Sequence, residues 1–209
     1  MRIRISSTTA ILLLCISVVR AQDITNKFRI GLSAGPVKNI SSERVAFGRY
    51  TGFTADYEQV NYRVGLGLEY GLKSNLAITG AIEYSNKDFT GTYFCDVCDF
   101  EVPPIPEDVS FGFISVPVTF KYYFPPNRIR WFVEAGLNNI FPLDELDYGA
   151  GSLSFITGLK IAGGMEYNLG RKFALQLKID YNNGMSRVFK DSDFKIKSLH
   201  LGIGIMKNI

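Results

Sequence analysis

The sequence predicts an all-β chain, an eight-stranded antiparallel up-and-down transmembrane β-barrel. Three observations predict it. Large apolar residues alternate with small, polar or charged ones in eight segments. The connections between these segments run long, short, long, short to the end of the chain. Aromatic residues gather at the segment ends. Alternation places the two residue sets on opposite faces of a strand. In a meander, alternate connections lie at opposite ends, so all the long ones share one end.

Residues 1–21 read as a secretory signal peptide rather than as part of the fold. Arg2 and Arg4 form a charged start, Ala10 to Val19 an apolar stretch, and Val19-Arg20-Ala21 a cleavage site. The apolar stretch is too short to span a bilayer as a helix. Cys15 lies inside that stretch and follows Leu14, so lipid attachment is not expected there. The barrel domain is assigned to residues 22–209.

The strands follow in order. In 28–37, Phe28, Ile30 and Leu32 alternate with Arg29, Gly31 and Ser33. In 60–70, Val64, Leu66, Leu68 and Tyr70 alternate with Arg63, Gly65, Gly67 and Glu69. In 76–85, Ile82 and Tyr84 flank Glu83. In 110–124, Val118, Phe120, Tyr122 and Phe124 frame Lys121. In 130–137, Trp131, Val133 and Leu137 alternate with Glu134 and Gly136. In 153–167, Leu159, Ile161 and Tyr167 share a face opposite Gly158, Lys160, Gly164 and Glu166. Segment 173–181 is the clearest: Phe173, Leu175, Leu177, Ile179 and Tyr181 against Ala174, Gln176, Lys178 and Asp180. In 195–206, Leu199, Leu201, Ile203 and Ile205 oppose Gly202 and Gly204.

The connections 38–59, 86–109, 138–152 and 182–194 are long. The others are short and carry turn residues: Gly71 to Asn75, Pro125-Pro126-Asn127 and Asn168-Leu169-Gly170. Outer-membrane barrels have this plan, with short periplasmic turns and longer extracellular loops. Both termini are expected on the periplasmic side. Tyr70, Tyr122, Tyr123, Phe124, Trp131, Tyr167 and Phe173 flank the short turns, and Tyr84, Phe111, Phe155 and Tyr181 lie toward the long loops. Two aromatic girdles would give this distribution.

Arg29, Arg63, Glu69, Glu83, Lys121, Glu134, Lys160, Glu166, Lys178 and Asp180 occupy the non-apolar face, interleaved with glycines. A barrel of this size is filled by its own side chains, so these charges are expected to pair across a plugged interior. The glycines leave them room. A path for protons or small ions along the same charges is the functional alternative.

Composition narrows the function. An apolar fraction of 46% excludes disorder. The formal charge of +3 belongs to Arg2, Arg4 and Arg20, for the first 21 residues hold no acid. Beyond them the charges balance, which removes the electrostatic case for nucleic acid. The balance conceals an asymmetry. Segment 86–109 holds Asp88, Asp96, Asp99, Glu101, Glu107 and Asp108, and Asp144, Glu145 and Asp147 follow in the third long connection. The short turns carry Lys73, Arg128, Arg171 and Lys172. The acidic segments suit divalent cations, a basic partner or plain solvation. Pro103, Pro104 and Pro106 stiffen the longest of them. Cys95 and Cys98 lie close in the same segment, and in an oxidising space they are expected to form a disulfide.

The single histidine, His200, sits mid-strand on the charged face and reads as an interior residue. Beyond residue 21 no His-Glu-x-x-His or phosphate-binding loop occurs, and Gly31-Leu32-Ser33-Ala34-Gly35, which spells Gly-x-Ser-x-Gly, runs along a strand with no following helix and is not a nucleophile elbow. No cofactor and no enzymatic activity are expected. Two rival readings stay open: a soluble lipocalin-like calyx with its apolar face inward, and an outer-membrane enzyme built on His200.

The run Ile114-Ser115-Val116-Pro117-Val118-Thr119-Phe120-Lys121-Tyr122-Tyr123-Phe124, followed by a turn and Trp131-Phe132-Val133-Glu134-Ala135-Gly136, resembles a signature of the outer membrane β-barrel domain family. The strand endings Leu68-Glu69-Tyr70, Met165-Glu166-Tyr167 and Lys178-Ile179-Asp180-Tyr181 are similar to that family's style. The family includes PorT-like proteins of Gram-negative bacteria. The resemblance implies an outer-membrane location, with a lipid bilayer and lipopolysaccharide as surroundings. A structural or interaction role is expected, through the loops or by docking to a larger outer-membrane complex, and the resemblance to PorT-like proteins implies a part in a secretion or assembly machinery. It implies a local bulge at Pro117. The chain departs from such barrels in ending Met206-Lys207-Asn208-Ile209 rather than in an aromatic residue.

Overall fold

The computed structural model describes residues 24–25, 27–46, 49–124, 129–143, 154–189 and 193–209. The signal segment, Arg128, the Pro125-Pro126-Asn127 turn and the acids Asp144, Glu145 and Asp147 lie outside them. No helix among the described residues is long and apolar enough to cross a membrane.

Eight long strands close a barrel: β1 (Phe28–Asn39), β4 (Asn61–Lys73), β5 (Leu76–Asn86), β8 (Gly112–Tyr123), β9 (Ile129–Pro142), β10 (Ile156–Asn168), β11 (Phe173–Gly184) and β12 (Lys197–Asn208). Their order around the wall is β1-β12-β11-β10-β9-β8-β5-β4, and every pair is antiparallel. Closure is between β4 and β1, where Phe28 pairs with Tyr70 and Val37 with Asn61. Each strand holds between 11 and 14 residues, enough to cross a bilayer when tilted.

Alternation works as the sequence requires, and it decides which face is which. The apolar set looks outward: Leu32, Leu66, Ile82, Phe120, Val133, Ile161 and Ile203 are all exposed, Phe120 at 59%. The charged set is buried inside. A calyx needs the opposite arrangement, so the lipocalin-like reading fails.

Two long connections are not loops. Segments 38–59 and 86–109 fold into β2 (Arg44–Ala46), β3 (Thr51–Asp56), β6 (Phe89–Cys95) and β7 (Glu107–Val109), a four-stranded sheet in the order β2-β3-β6-β7. It forms a cap over one end of the barrel. Under it Val45, Phe53, Phe89, Phe111 and Phe113 meet Ile140 and Ile156 near the third connection, and Val188, Phe189, Phe194 and Ile196 near the fourth. Strands β9 and β11 also run further than the sequence indicated, to Pro142 and Gly184. The sequence hid all this because short cap strands, packed on one another as well as on the barrel, lack a long period-2 run.

Pro117 interrupts the wall without a bulge. The β5–β8 register is unbroken from Gly80–Val118 to Glu83–Ser115, and pairing only lapses between these points. On its other side Pro117 still pairs with Asn138. A missing N–H removes a rung; it does not require an extra residue. Pro36 behaves alike, paired with Tyr62 while the β1–β12 ladder lapses beside it.

At the turn end, Ile24 tucks under the barrel with Ala77, Tyr123 and Phe132. The β4–β5 turn is only Ser74-Asn75. Gly170 takes a positive φ of 90° in the β10–β11 turn, a conformation that favours glycine.

Candidate functional site

The candidate site is the barrel lumen together with its cap. The inward positions of the eight strands fill the lumen in three tiers.

The tier nearest the turns centres on two carboxylates. Arg29 Nη1 donates to Glu69 Oε1 at 2.7 Å and Arg29 Nη2 lies 2.9 Å from Glu166 Oε1. Lys121 Nζ donates to Glu69 Oε2 at 2.8 Å, and Arg130 pairs with Glu166. The hydroxyl of Tyr123 donates to Glu69 at 2.8 Å and accepts from Arg29 at 2.9 Å. The ammonium of Lys121 stands 4.2 Å from the Phe132 ring centroid, and the Arg130 guanidinium 4.5 Å from that of Tyr123.

The middle tier is looser. Lys178 Nζ lies 3.9 Å from Glu134 Oε2, while Glu134 Oε1 accepts from Thr119 at 2.7 Å. The tier nearest the cap centres on Asp180 and Glu83. Asp180 takes both oxygens to Arg63 Nη2 at 2.5 Å, and accepts from Asn182 at 2.8 Å. Glu83 accepts from Lys160 at 2.8 Å and Arg63 at 3.1 Å.

All ten charged residues named from the sequence therefore face inward, Lys178 half-buried and the others buried. Arg130 belongs with them; it heads a strand whose alternation points it inward, and its place at the segment edge concealed it. Tyr123 and Phe111 are corrections. The sequence places both in the girdles, but Tyr123 is 1% exposed inside the lumen and Phe111 lies in the cap core. Odd–even phase puts Tyr123 with Lys121 and not with Tyr122. The remaining girdle residues stay on the outer wall, with Phe28 and Tyr70 rings 4.7 Å apart.

His200 sets Nδ1 2.9 Å from Asp180 Oδ2, and its Nε2 is buried without a partner. It is an interior histidine satisfied on one side only. Asp180 is shared with Arg63 and Asn182, which makes it the hub of an ion network.

The cap adds another buried base. Lys87 Nζ donates to Ser198 Oγ at 2.9 Å below the apolar cluster. Burial pushes its amine down to about 7. Burial likewise raises the phenol of Tyr57, which donates to Ser42 O at 2.8 Å. Cys95 and Cys98 are joined, with Cα atoms 5.3 Å apart. Several acids of this segment have structural tasks. Asp88 accepts from Asn86 and from the Phe111 amide, Asp96 pairs with Arg44 at 2.5 Å, and Asp108 accepts from Gln59 at 2.7 Å. Asp99, Glu101 and Glu107 are exposed beside Val97, Val102 and Ile105. Among the described residues no three His, Cys, Asp or Glu side chains converge to hold a metal.

Residues 7–206 match the outer membrane protein beta-barrel domain. The chain belongs to that family. The family accounts for an apolar outer wall around a charged lumen, and sets this barrel in the outer membrane of Gram-negative bacteria. Solved structures of small outer-membrane barrels share the fold. The surface protein NspA of Neisseria is 17% identical, with TM-score 0.57, covering 87% of this chain and 97% of its own. OprG of Pseudomonas aeruginosa is 14% identical, with TM-score 0.58, covering 88% and 96%. AlkL, solved in lipid bilayers, is 12% identical, with TM-score 0.54, covering 92% and 94%. Among curated proteins no sequence matches the chain.

Proposed function

We propose that this family member is a non-enzymatic outer-membrane protein, closed to bulk flow, that acts through its cap. Residues 1–21 serve as the export leader. Both termini face the periplasm, and the cap stands outside the cell among lipopolysaccharide. The observation that carries the reading is the pairing of lumen charges beneath an apolar roof: Arg63 with Glu83 and Asp180, Arg29 with Glu69 and Glu166, and above them the Phe89–Phe113 cluster. Closely paired buried charges resist opening, since breaking one pair strands a charge. What is left for a partner is the cap surface, where exposed Val97, Val102 and Ile105 alternate with acids on a segment stiffened by prolines and the disulfide.

Two measurements test this. The purified barrel in a planar bilayer is expected to give no steady conductance; a steady current overturns the closed lumen. A cysteine replacing Val102 is expected to react with an impermeant maleimide on intact cells, and one replacing Lys73 only after lysis. The reverse pattern overturns the orientation.

A further inference from the structure

The outer wall carries a groove of about 730 Å³ where β1, β12 and β11 approach the cap. Pro36, Ile179, Leu199 and Leu201 form its floor, all on the outward face. Residues 57–60, which lead from β3 into β4, border it at the cap end, and Val60 there is 86% exposed. The groove lies at the level of lipid headgroups. Tyr181, Leu199 and Lys38 stand in register across β11, β12 and β1, and outward tyrosines mark the boundary between membrane and water. Along β12 the outward residues run Lys197, Leu199, Leu201, Ile203, Ile205, Lys207. Its two lysines are ten residues apart. At roughly 3.4 Å per residue and a tilt of about 40° they are separated by about 25 Å of height, that of an apolar band.

Positive charge is concentrated at this seam. Lys38 on β1 and Lys197 on β12 point outward, and Lys195 is exposed two residues before Lys197. Lys38 pairs with Leu199, so Lys197 is its diagonal neighbour on the same face, about 7–8 Å away. Among the described residues none of the three ammonium groups has an ion pair. No other barrel strand carries an outward base at its cap-side end. The acids nearby are Glu58 in the groove lining and Glu43 beside Tyr57.

We propose that this groove binds one phosphorylated lipid of the outer leaflet, the lipid A anchor of lipopolysaccharide, with a phosphate between Lys38 and Lys197 and an acyl chain over Leu199 and Leu201. Unpaired lysines at headgroup level attract an anionic lipid, and the apolar floor beneath them takes hydrocarbon. One phosphorylated lipid meets both needs; a soluble anion or a neutral lipid meets only one. Glu58 repels the phosphate and keeps it on the β1–β12 side. The choice of lipopolysaccharide over phospholipid rests on the extracellular placement of the cap proposed above.

The test uses the full barrel refolded in detergent micelles, with purified lipid A added and the complexes counted by native mass spectrometry. One lipid A per barrel is expected. A lysine beside an anionic lipid is worth roughly fivefold in affinity, so the double variant Lys38→Gln, Lys197→Gln is expected to bind about 25-fold more weakly. Lys207→Gln, at the far end of the same strand, is expected to leave binding unchanged. All three side chains are exposed, and heat-modified gel migration checks that the variants fold. Lipid A stripped of its phosphates is expected to bind the wild type as weakly as lipid A binds the double variant, and phosphatidylglycerol to bind more weakly than lipid A. Undiminished binding by the double variant overturns the site. So does an equal loss in Lys207→Gln, or equal binding of phosphate-free lipid A. Equal binding of phosphatidylglycerol overturns the choice of lipid. Micelles report affinity whatever the orientation, so a failed site is distinct from a failed orientation, which the Val102 cysteine reports on intact cells.

Discussion

The hydroxyl of Tyr123 on β8 lies 2.8 and 2.9 Å from the two carboxylate oxygens of Glu69 on β4. The intervening strand, β5, contributes nothing to this contact. The pair therefore ties together strands that are not neighbours in the wall, across the base of the lumen. Glu69 also serves Arg29 and Lys121, so it links β1, β4 and β8.

Removing either partner should be costly, but unequally. Tyr123→Phe deletes a donor to a buried carboxylate that keeps its two cations, and is expected to cost about 1–3 kcal/mol. Glu69→Gln leaves Lys121 with only Glu166 at 4.0 Å and Arg29 with Glu166 alone, so three cations share one carboxylate, and it is expected to cost about 3–5 kcal/mol. Urea midpoints in vesicles, with heat-modified gel migration as the fold readout, give both values. Equal losses would show that the tier is not organised around the carboxylate.

The inward glycines divide by what surrounds them. A Cβ at Gly136 would stand 2.2 Å from Val118 O and 2.6 Å from Thr119 Cα, both backbone of the adjacent strand. Gly136→Val must push β8 and β9 apart, and loss of the heat-modifiable folded band is expected. Gly67→Ala meets nothing within 3.8 Å, and a change of no more than about 1 kcal/mol is expected. If both variants fold alike, wall curvature does not depend on the glycine at 136.

The spanning strands were legible because each buries one face only, so residues such as Leu175 and Lys178 reveal their sides by parity. Loop alternation then ordered the strands. Parity also contained the answer for Tyr123, yet its position among Tyr122 and Phe124 suggested a girdle. The cap was not legible. Val45, Phe89 and Phe194 come from three different connections, and no local period announces that they meet. The pairing of charges was legible only as a class. That Arg63 bridges Glu83 and Asp180, whose strands lie on opposite sides of β4 and are not adjacent to each other, depends on barrel closure.

The Cys95–Cys98 bond closes a ring with a sequence separation of only 3. Loop-closure entropy grows with ring size, so its effect on the barrel should not exceed about 2 kcal/mol. The double variant Cys95→Ser, Cys98→Ser is expected to keep the barrel's urea midpoint nearly unchanged. Proteolysis between residues 96 and 106 is expected to quicken, since the β6 end loses its clasp. Mass spectrometry should find the wild type lighter than its reduced form by two hydrogen atoms. A collapse of the barrel midpoint would mean that cap and barrel unfold as one unit.

Lys87 makes stability depend on pH in the alkaline direction. Its amine is buried beneath the cap core, hydrogen-bonded to Ser198, and held down to about 7 chiefly by burial. Arg63 adds to that depression, and Asp180 and Glu83 oppose it. Unfolded, the amine keeps its proton to about pH 10.4. Between about 7 and 10.4 the unfolded chain binds more protons, so stability rises with pH, by at most about 1.4 kcal/mol per unit. Below about 7 both states are charged, and the burial cost is complete. Lys87→Met removes the titration; it is expected to be more stable than the wild type at pH 7 and to converge with it near pH 10. Urea midpoints of the two proteins across that range supply the test. Parallel curves would mean that the Lys87 amine reaches solvent through the cap.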